Sequence, residues 1–412
     1  MTRRHHLLSS AAALVLAAIA PAMAQTAEVI HWWTSGGESA AVRVFADQFT
    51  KAGGKWVDTA IAGGVNARTA ALNRTIGGNP PTAMQFNTGK QFDELVEGGL
   101  LADVDAVATE QNWKAIVPPP ILDAVTRNGH VYAAPVNIHG QNWFFTSNAV
   151  MQKSGVSEPK NWDELFVALD KIKAAGFIPI AFGDQKVWER GMFSTTLAGI
   201  GGPEGFVAFW GKRDPGYVKS AEFRKVSETY RRFKNYVDPG SPGRNWNDAV
   251  TLVIQGKAGM QIMGDWAKGE FTAADQTPGK DYGCFVLSNR GGGYVIGGDV
   301  FAFPKSKNAD TAKAQTLLAR TLMAPDTQIA FAQKKGSIPA RQDVDSKSLD
   351  VCAQKAMAFV ADRSKQIPST ELLSPPYITG AVEDVISAYW NDPSMTTDAF
   401  VAKLVTALTQ TL

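Results

Sequence analysis

Over the first hundred residues of this 412-residue chain, short β-branched and aromatic runs alternate with runs of helical period. Val29-Ile30-His31-Trp32-Trp33 reads as a strand. Val42, Phe45 and Phe49 then recur at helical spacing, which places them on one buried face. Residues 55–61 read as a second strand and residues 67–76 as a second helix, closed by Gly77-Gly78. The rigid turn Asn79-Pro80-Pro81-Thr82 leads into a third strand over residues 83–87. Such alternation predicts an α/β architecture, because each helix needs a sheet face to cover. It resumes later, with a helix over residues 159–175 capped by Asn161 and strands over 178–182 and 258–263. A chain of this length outgrows one ordinary core, so two lobes are expected. Neither a repeat nor a low-complexity tether separates them, so the lobes are expected to be interwoven. The chain changes character near residues 132–137 and again at Phe301-Ala302-Phe303-Pro304. The resulting division is 25–136 with 302–343 as an N-terminal lobe, and 137–301 with 344–412 as a C-terminal lobe.

The first residues carry an address. Arg3 and Arg4 form a charged tip, residues 7–19 an apolar run too short for a good membrane span, and Ala22-Met23-Ala24 a site for a signal peptidase. Residues 1–24 are therefore expected to be a signal peptide and the mature protein to work in the periplasm. Arg3-Arg4 leaves a twin-arginine route open beside the general one. The chain carries a net charge of +2, which falls to zero without Arg3 and Arg4, and has no basic run. A neutral surface gives no hold on nucleic acid. Cys284 and Cys352 sit in an oxidising compartment. Their spacing leaves pairing open, with two separate buried thiols expected ahead of a bridge.

Aromatic and polar residues then converge on one kind of ligand. A sugar ring has apolar C–H faces that aromatic rings cover, and polar edges that carboxylates, ammoniums and amides bond. Trp32 and Trp33 are adjacent, so on a strand one packs inward while the other reaches a cleft. Glu38 opens a helix, where a carboxylate either satisfies the terminal N–H groups or accepts sugar hydroxyls. Lys90 stands in a Thr-Gly-Lys-Gln turn, as a solvated lysine or as a donor. Gly264-Asp265-Trp266 offers a carboxylate and a second ring, against the alternative of a core tryptophan. Gly297-Gly298-Asp299 lets the backbone approach closely beside a carboxylate, or is an ordinary turn. Lys335 ends a helix, where its charge either favours the dipole or reaches a ligand. Trp188 and Trp246 read more readily as packing residues.

In these segments the chain resembles the periplasmic glucose- and mannose-type sugar-binding proteins of ABC importers, within the broad maltodextrin-binding-like group. The resemblance spans nearly the whole mature chain. It rests on the order of Ile30-His31-Trp32-Trp33-Thr34-Ser35-Gly36-Gly37-Glu38, Gly78-Asn79-Pro80-Pro81, Thr88-Gly89-Lys90, Asn245-Trp246-Asn247-Asp248, Gly259 through Ala267, and Lys335-Gly336-Ser337-Ile338-Pro339-Ala340-Arg341. It implies a two-lobed α/β periplasmic binding protein with a central ligand cleft that closes over a monosaccharide. It also implies that Trp32, Trp33, Glu38, Lys90, Asp265, Trp266, Asp299 and Lys335 line the site, and that membrane permease subunits receive the ligand. Related glucose binders carry a histidine near the start of the late helix, where this chain has Ser374-Pro375-Pro376-Tyr377-Ile378. Tyr377 is expected to offer a hydroxyl or a ring there instead. The wall is then reshaped, which admits galactose, mannose, xylose, a disaccharide, a polyol or a sugar acid beside glucose.

Other functions find less support. Glycoside hydrolysis needs two carboxylates placed around the scissile bond, and no such pair is evident. The chain lacks a Gly-x-x-x-x-Gly-Lys-Ser/Thr loop and a Gly-x-Ser-x-Gly elbow. Gly291-Gly292-Gly293 lacks the context of a dinucleotide fingerprint and reads as a flexible loop. His31, His130 and His139 form no short metal motif. The expectation is a monomeric binding protein with neither cofactor nor metal, and no catalytic residues.

Overall fold

The structure, a computed structural model, describes residues 25–288 and 293–410. The expected signal peptide, and the triple-glycine run up to Gly292, lie outside the described residues. Two sheets organise the fold. In the first, Gln25–His31 pairs in parallel with Gly54–Ala60 on one side and Ala83–Asn87 on the other. Asp299–Pro304 then runs antiparallel to Ala83–Asn87, and pairs further with Leu101–Ala102 and Ala133–Pro135. The second sheet has the order Ile178–Ile180, Ala258–Met263, Trp143–Ser147, Tyr282–Phe285. Its two central strands are buried along their whole length, which is why they read as continuous apolar runs.

Local chemistry starts the helices where the sequence places them. Ser35 and Glu38 form a capping box at the head of helix Gly36–Lys51. Phe45 of that helix stacks on Phe331 with centroids 4.1 Å apart. Phe331 belongs to helix Pro325–Lys335, so a late element completes the first lobe. Asn161 accepts a hydrogen bond from the Glu164 amide and opens helix Trp162–Ala174 in the second lobe.

The crossings form a small sheet of their own. Tyr294–Gly297 pairs in parallel with Gln366–Pro368 and antiparallel with His139–Gly140. Asn137 and Asp299 bind one another across these crossings. The Asp299 amide donates to Asn137 Oδ1 at 2.7 Å, and Asn137 Nδ2 donates to Asp299 Oδ2 at 3.0 Å. A Cβ on Gly298 would strike the Asn137 carbonyl, so glycine permits this approach. The return expected at 301/302 falls instead within strand Asp299–Pro304, which lies wholly in the first sheet. Pairing to Ala83–Asn87 draws that strand across from its first residue.

The two cysteines meet. Cys284 on strand Tyr282–Phe285 and Cys352 on helix Val351–Ala361 form a disulfide with Cα atoms 6.0 Å apart. The expectation of separate thiols is corrected here. Chain folding brings together positions that their spacing alone could not relate.

Candidate functional site

Between the lobes lies a cavity of about 980 Å³. Trp32, Trp33, Glu38, Lys90, Trp266, Asp299 and Lys335 all line it. The two neighbouring tryptophans differ in role. Trp33 is buried against Phe45, Phe301 and Phe331, while its indole N–H has no protein partner. Trp32 is half-buried, with the Arg68 guanidinium 5.6 Å from its ring centroid. Chain alternation at the end of the first strand separates the rings in this way.

The second lobe supplies the opposing aromatic wall. Trp266 meets Trp188 at 6.0 Å, and Trp188 meets Trp246 at 6.3 Å. All three line the cavity. A Cβ on Gly264 would fall on the Trp266 ring, which explains the glycine two residues before it. Trp188 and Trp246 pack against the hydrophobic core, as expected, and also line the cavity.

Several charged groups in the cavity are compensated by partners. Lys335 Nζ is 3.1 Å from Glu38 Oε1 and lies 5.7 Å from the Trp33 ring and 6.0 Å from the Trp266 ring. The other Glu38 oxygen accepts from the amides of Thr34 and Ser35, so this residue caps its helix and faces the cavity together. Lys90 reaches across the lobes to donate to the Leu373 carbonyl at 3.3 Å.

At the deep end, His139 stands between two carboxylates. Its Nε2 is 2.8 Å from Asp299 Oδ2, and its Nδ1 makes a short hydrogen bond to Asp265 Oδ1. Gly140 donates its amide to the second Asp265 oxygen at 2.8 Å. Asp299 also receives the side-chain amides of Gln85 and Asn87, both at 3.2 Å. Burial pulls the imidazole pKa down, but the two carboxylates overcome it and push the value up to about 9. Burial likewise opposes ionisation of Asp299, yet His139, Lys335 and Asn137 hold its carboxyl below the ordinary range. The result is a buried imidazolium that orients Asp299.

Two expected site residues are placed elsewhere. Asp265 does not line the cavity and acts on it through His139. Tyr377 is 37% exposed and also lies outside the lining, which corrects its expected place in the wall. Helix Pro376–Asn391 turns Thr379, Gly380 and Glu383 toward the cavity and Tyr377 away. Ser374, just before this helix, lines the cavity with a buried hydroxyl that has no protein partner. His139, Arg68 and Arg190 are further cavity-lining groups missed by the sequence reading. Only Asn137 and His139 left a visible signal, as alternate polar positions in an extended apolar stretch. Among the described residues, no group of three His, Cys, Asp or Glu side chains is placed to hold a metal ion.

Residues 33–319 match the family described as bacterial extracellular solute-binding protein. The chain is 36% identical to a probable sugar-binding periplasmic protein of Brucella melitensis biotype 1, over 97% of each chain. Among solved structures, a chitin oligosaccharide binding protein aligns with a TM-score of 0.80 at 18% identity, covering 93% of this chain and 98% of the other. A bacterial solute receptor with an exclusive preference for β-D-galactopyranose aligns with a TM-score of 0.79 at 19% identity, covering 93% and 97%. These two structures share the fold.

Proposed function

Because this chain belongs to the family of bacterial extracellular solute-binding proteins, we propose that it captures a monosaccharide outside the cytoplasm and delivers it unchanged to the permease of an ABC importer. Trp32 faces the cavity from the first lobe, and Trp188, Trp246 and Trp266 face it from the second. That opposition of rings carries the reading, since it supplies apolar surfaces for both faces of a pyranose. Compensation of Glu38 by Lys335, and of Asp299 by His139, favours a neutral polyol over an ion. Trp33 Nε1 and Ser374 Oγ remain to bond hydroxyls. Solute contacts to both lobes would shift the population toward a closed form. A glucose-like ring is the first choice. The cavity volume favours one second reading, a disaccharide, because about 980 Å³ lies at the upper end of the range for small-molecule sites.

Calorimetric titration with glucose, galactose, mannose, xylose, glucuronate and a set of disaccharides tests the proposal. One monosaccharide is expected to give a one-to-one isotherm. A disaccharide that binds at least about tenfold more tightly would replace the monosaccharide reading. No heat with any sugar would overturn sugar capture. Trp32→Ala is expected to raise the Kd about tenfold, through loss of one stacking face, while leaving the unfolding midpoint nearly unchanged. An unchanged isotherm would take Trp32 out of the site.

A further inference from the structure

Arg68 lies on helix Gly64–Ile76 of the first lobe and lines the cavity. Among the described residues its guanidinium makes no hydrogen bond or ion pair, and its recorded neighbour is the Trp32 ring. Across the cavity, the second lobe holds Arg190 on helix Lys186–Phe206, with Glu371 at 3.2 Å and Glu383 at 2.6 Å. Both carboxylates line the same cavity. The second-lobe cluster therefore has two carboxylates for one guanidinium, and the first lobe has a guanidinium without a carboxylate. Arg190 bonds only one oxygen of each glutamate, and Gln141 Nε2 is 3.3 Å from the other oxygen of Glu371. Among the described residues, the second Glu383 oxygen has no hydrogen-bond donor.

We infer that Arg68 is an interlobe latch, which pairs with the surplus carboxylate of Glu371 and Glu383 when the lobes close and so slows solute release. The inference rests on the proposed capture of a sugar between the lobes. Burial, with a contribution from Arg190, outweighs the attraction of Glu371 and Glu383 and holds the Arg68 guanidinium below its ordinary pKa. These second-lobe groups thus already act on Arg68 before any hydrogen bond forms. Closure would exchange this long-range attraction for charge-assisted hydrogen bonds in a drier cleft.

A double-mutant cycle with Arg68→Gln, Glu383→Gln and the double variant tests the latch, with affinity from calorimetry and release from stopped-flow tryptophan fluorescence. Arg68→Gln is expected to raise the Kd of the tightest-binding sugar about tenfold, chiefly by faster release. The double variant is expected to bind no more weakly than the worse single variant, because both substitutions break one interaction. Arg68→Lys should recover part of the loss. Small-angle scattering should show a smaller sugar-induced contraction for Arg68→Gln than for the native chain, and thermal unfolding verifies that each variant folds. Equal affinity of native protein and Arg68→Gln overturns the latch alone. Strictly additive losses in the cycle also overturn it, and assign Arg68 to direct solute contact. Failure of the native protein to bind any sugar overturns the capture reading and the latch with it.

Discussion

Replacing His139 by alanine is expected to lower the stability of the protein by about 3–5 kcal/mol. The imidazolium is the shared partner of Asp265 and Asp299, and all three side chains are buried. Alanine would leave two buried carboxylates facing a void without their cation. Urea unfolding should show a lower midpoint with an unchanged slope, since the surface exposed on unfolding stays the same. The sugar should also bind more weakly, because Asp299 loses the donor at 2.8 Å that fixes its orientation. A variant with the native midpoint would refute the clasp.

The same residue predicts a dependence on pH. Its folded pKa of about 9 stands above the ordinary histidine value near 6.5. The folded state therefore binds the proton more tightly than the unfolded chain. The stabilisation is complete below about pH 6.5 and is lost as pH rises through about 9. Asp299 has the opposite sign, since its depressed pKa contributes above the ordinary carboxylate range and is lost in acid. The difference in stability between native protein and His139→Ala should accordingly shrink from neutral to alkaline pH. A constant difference across that window would assign the effect of His139 to packing alone.

Replacing both cysteines by serine is expected to cost about 2–4 kcal/mol. The bond spans 68 positions. The entropy of closing a loop of that size gives about 4 kcal/mol as an upper expectation. Structurally, the bond ties helix Val351–Ala361, and hence the C-terminal segment, to the edge strand Tyr282–Phe285 of the second sheet. Reductant should lower the unfolding midpoint of the native protein to that of the double serine variant and leave the variant itself unmoved. Sugar affinity should change little, because neither cysteine lines the cavity. Equal midpoints for native and variant proteins under oxidising conditions would show that the bond does not form or does not stabilise.

The α/β class was legible because its causes are local. Helical spacing placed Val42, Phe45 and Phe49 on the buried face of helix Gly36–Lys51. Asn161 marked a helix start through a bond within three residues. The aromatic and charged residues near strand ends also stood out, and most line the cavity. Tyr377 was harder to place. A helix start fixes the backbone direction, but the rotation of that helix against the second lobe decides which residue faces the cavity.

By itself, the sequence determined the alternation of strands and helices, the need for more than one core, and the stock of rings and charges available to a site. Hydrophobic period, capping chemistry and chain length act within a few residues or through simple bulk, so each can be read in one dimension. Tertiary structure alone decided that His139 meets Asp265 and Asp299 and that Cys284 meets Cys352. These relations join residues dozens to hundreds of positions apart. Only the pairing of the crossing strands and the approach of the two lobes bring such side chains within bonding range, and that distance sets their charge, their orientation and their use.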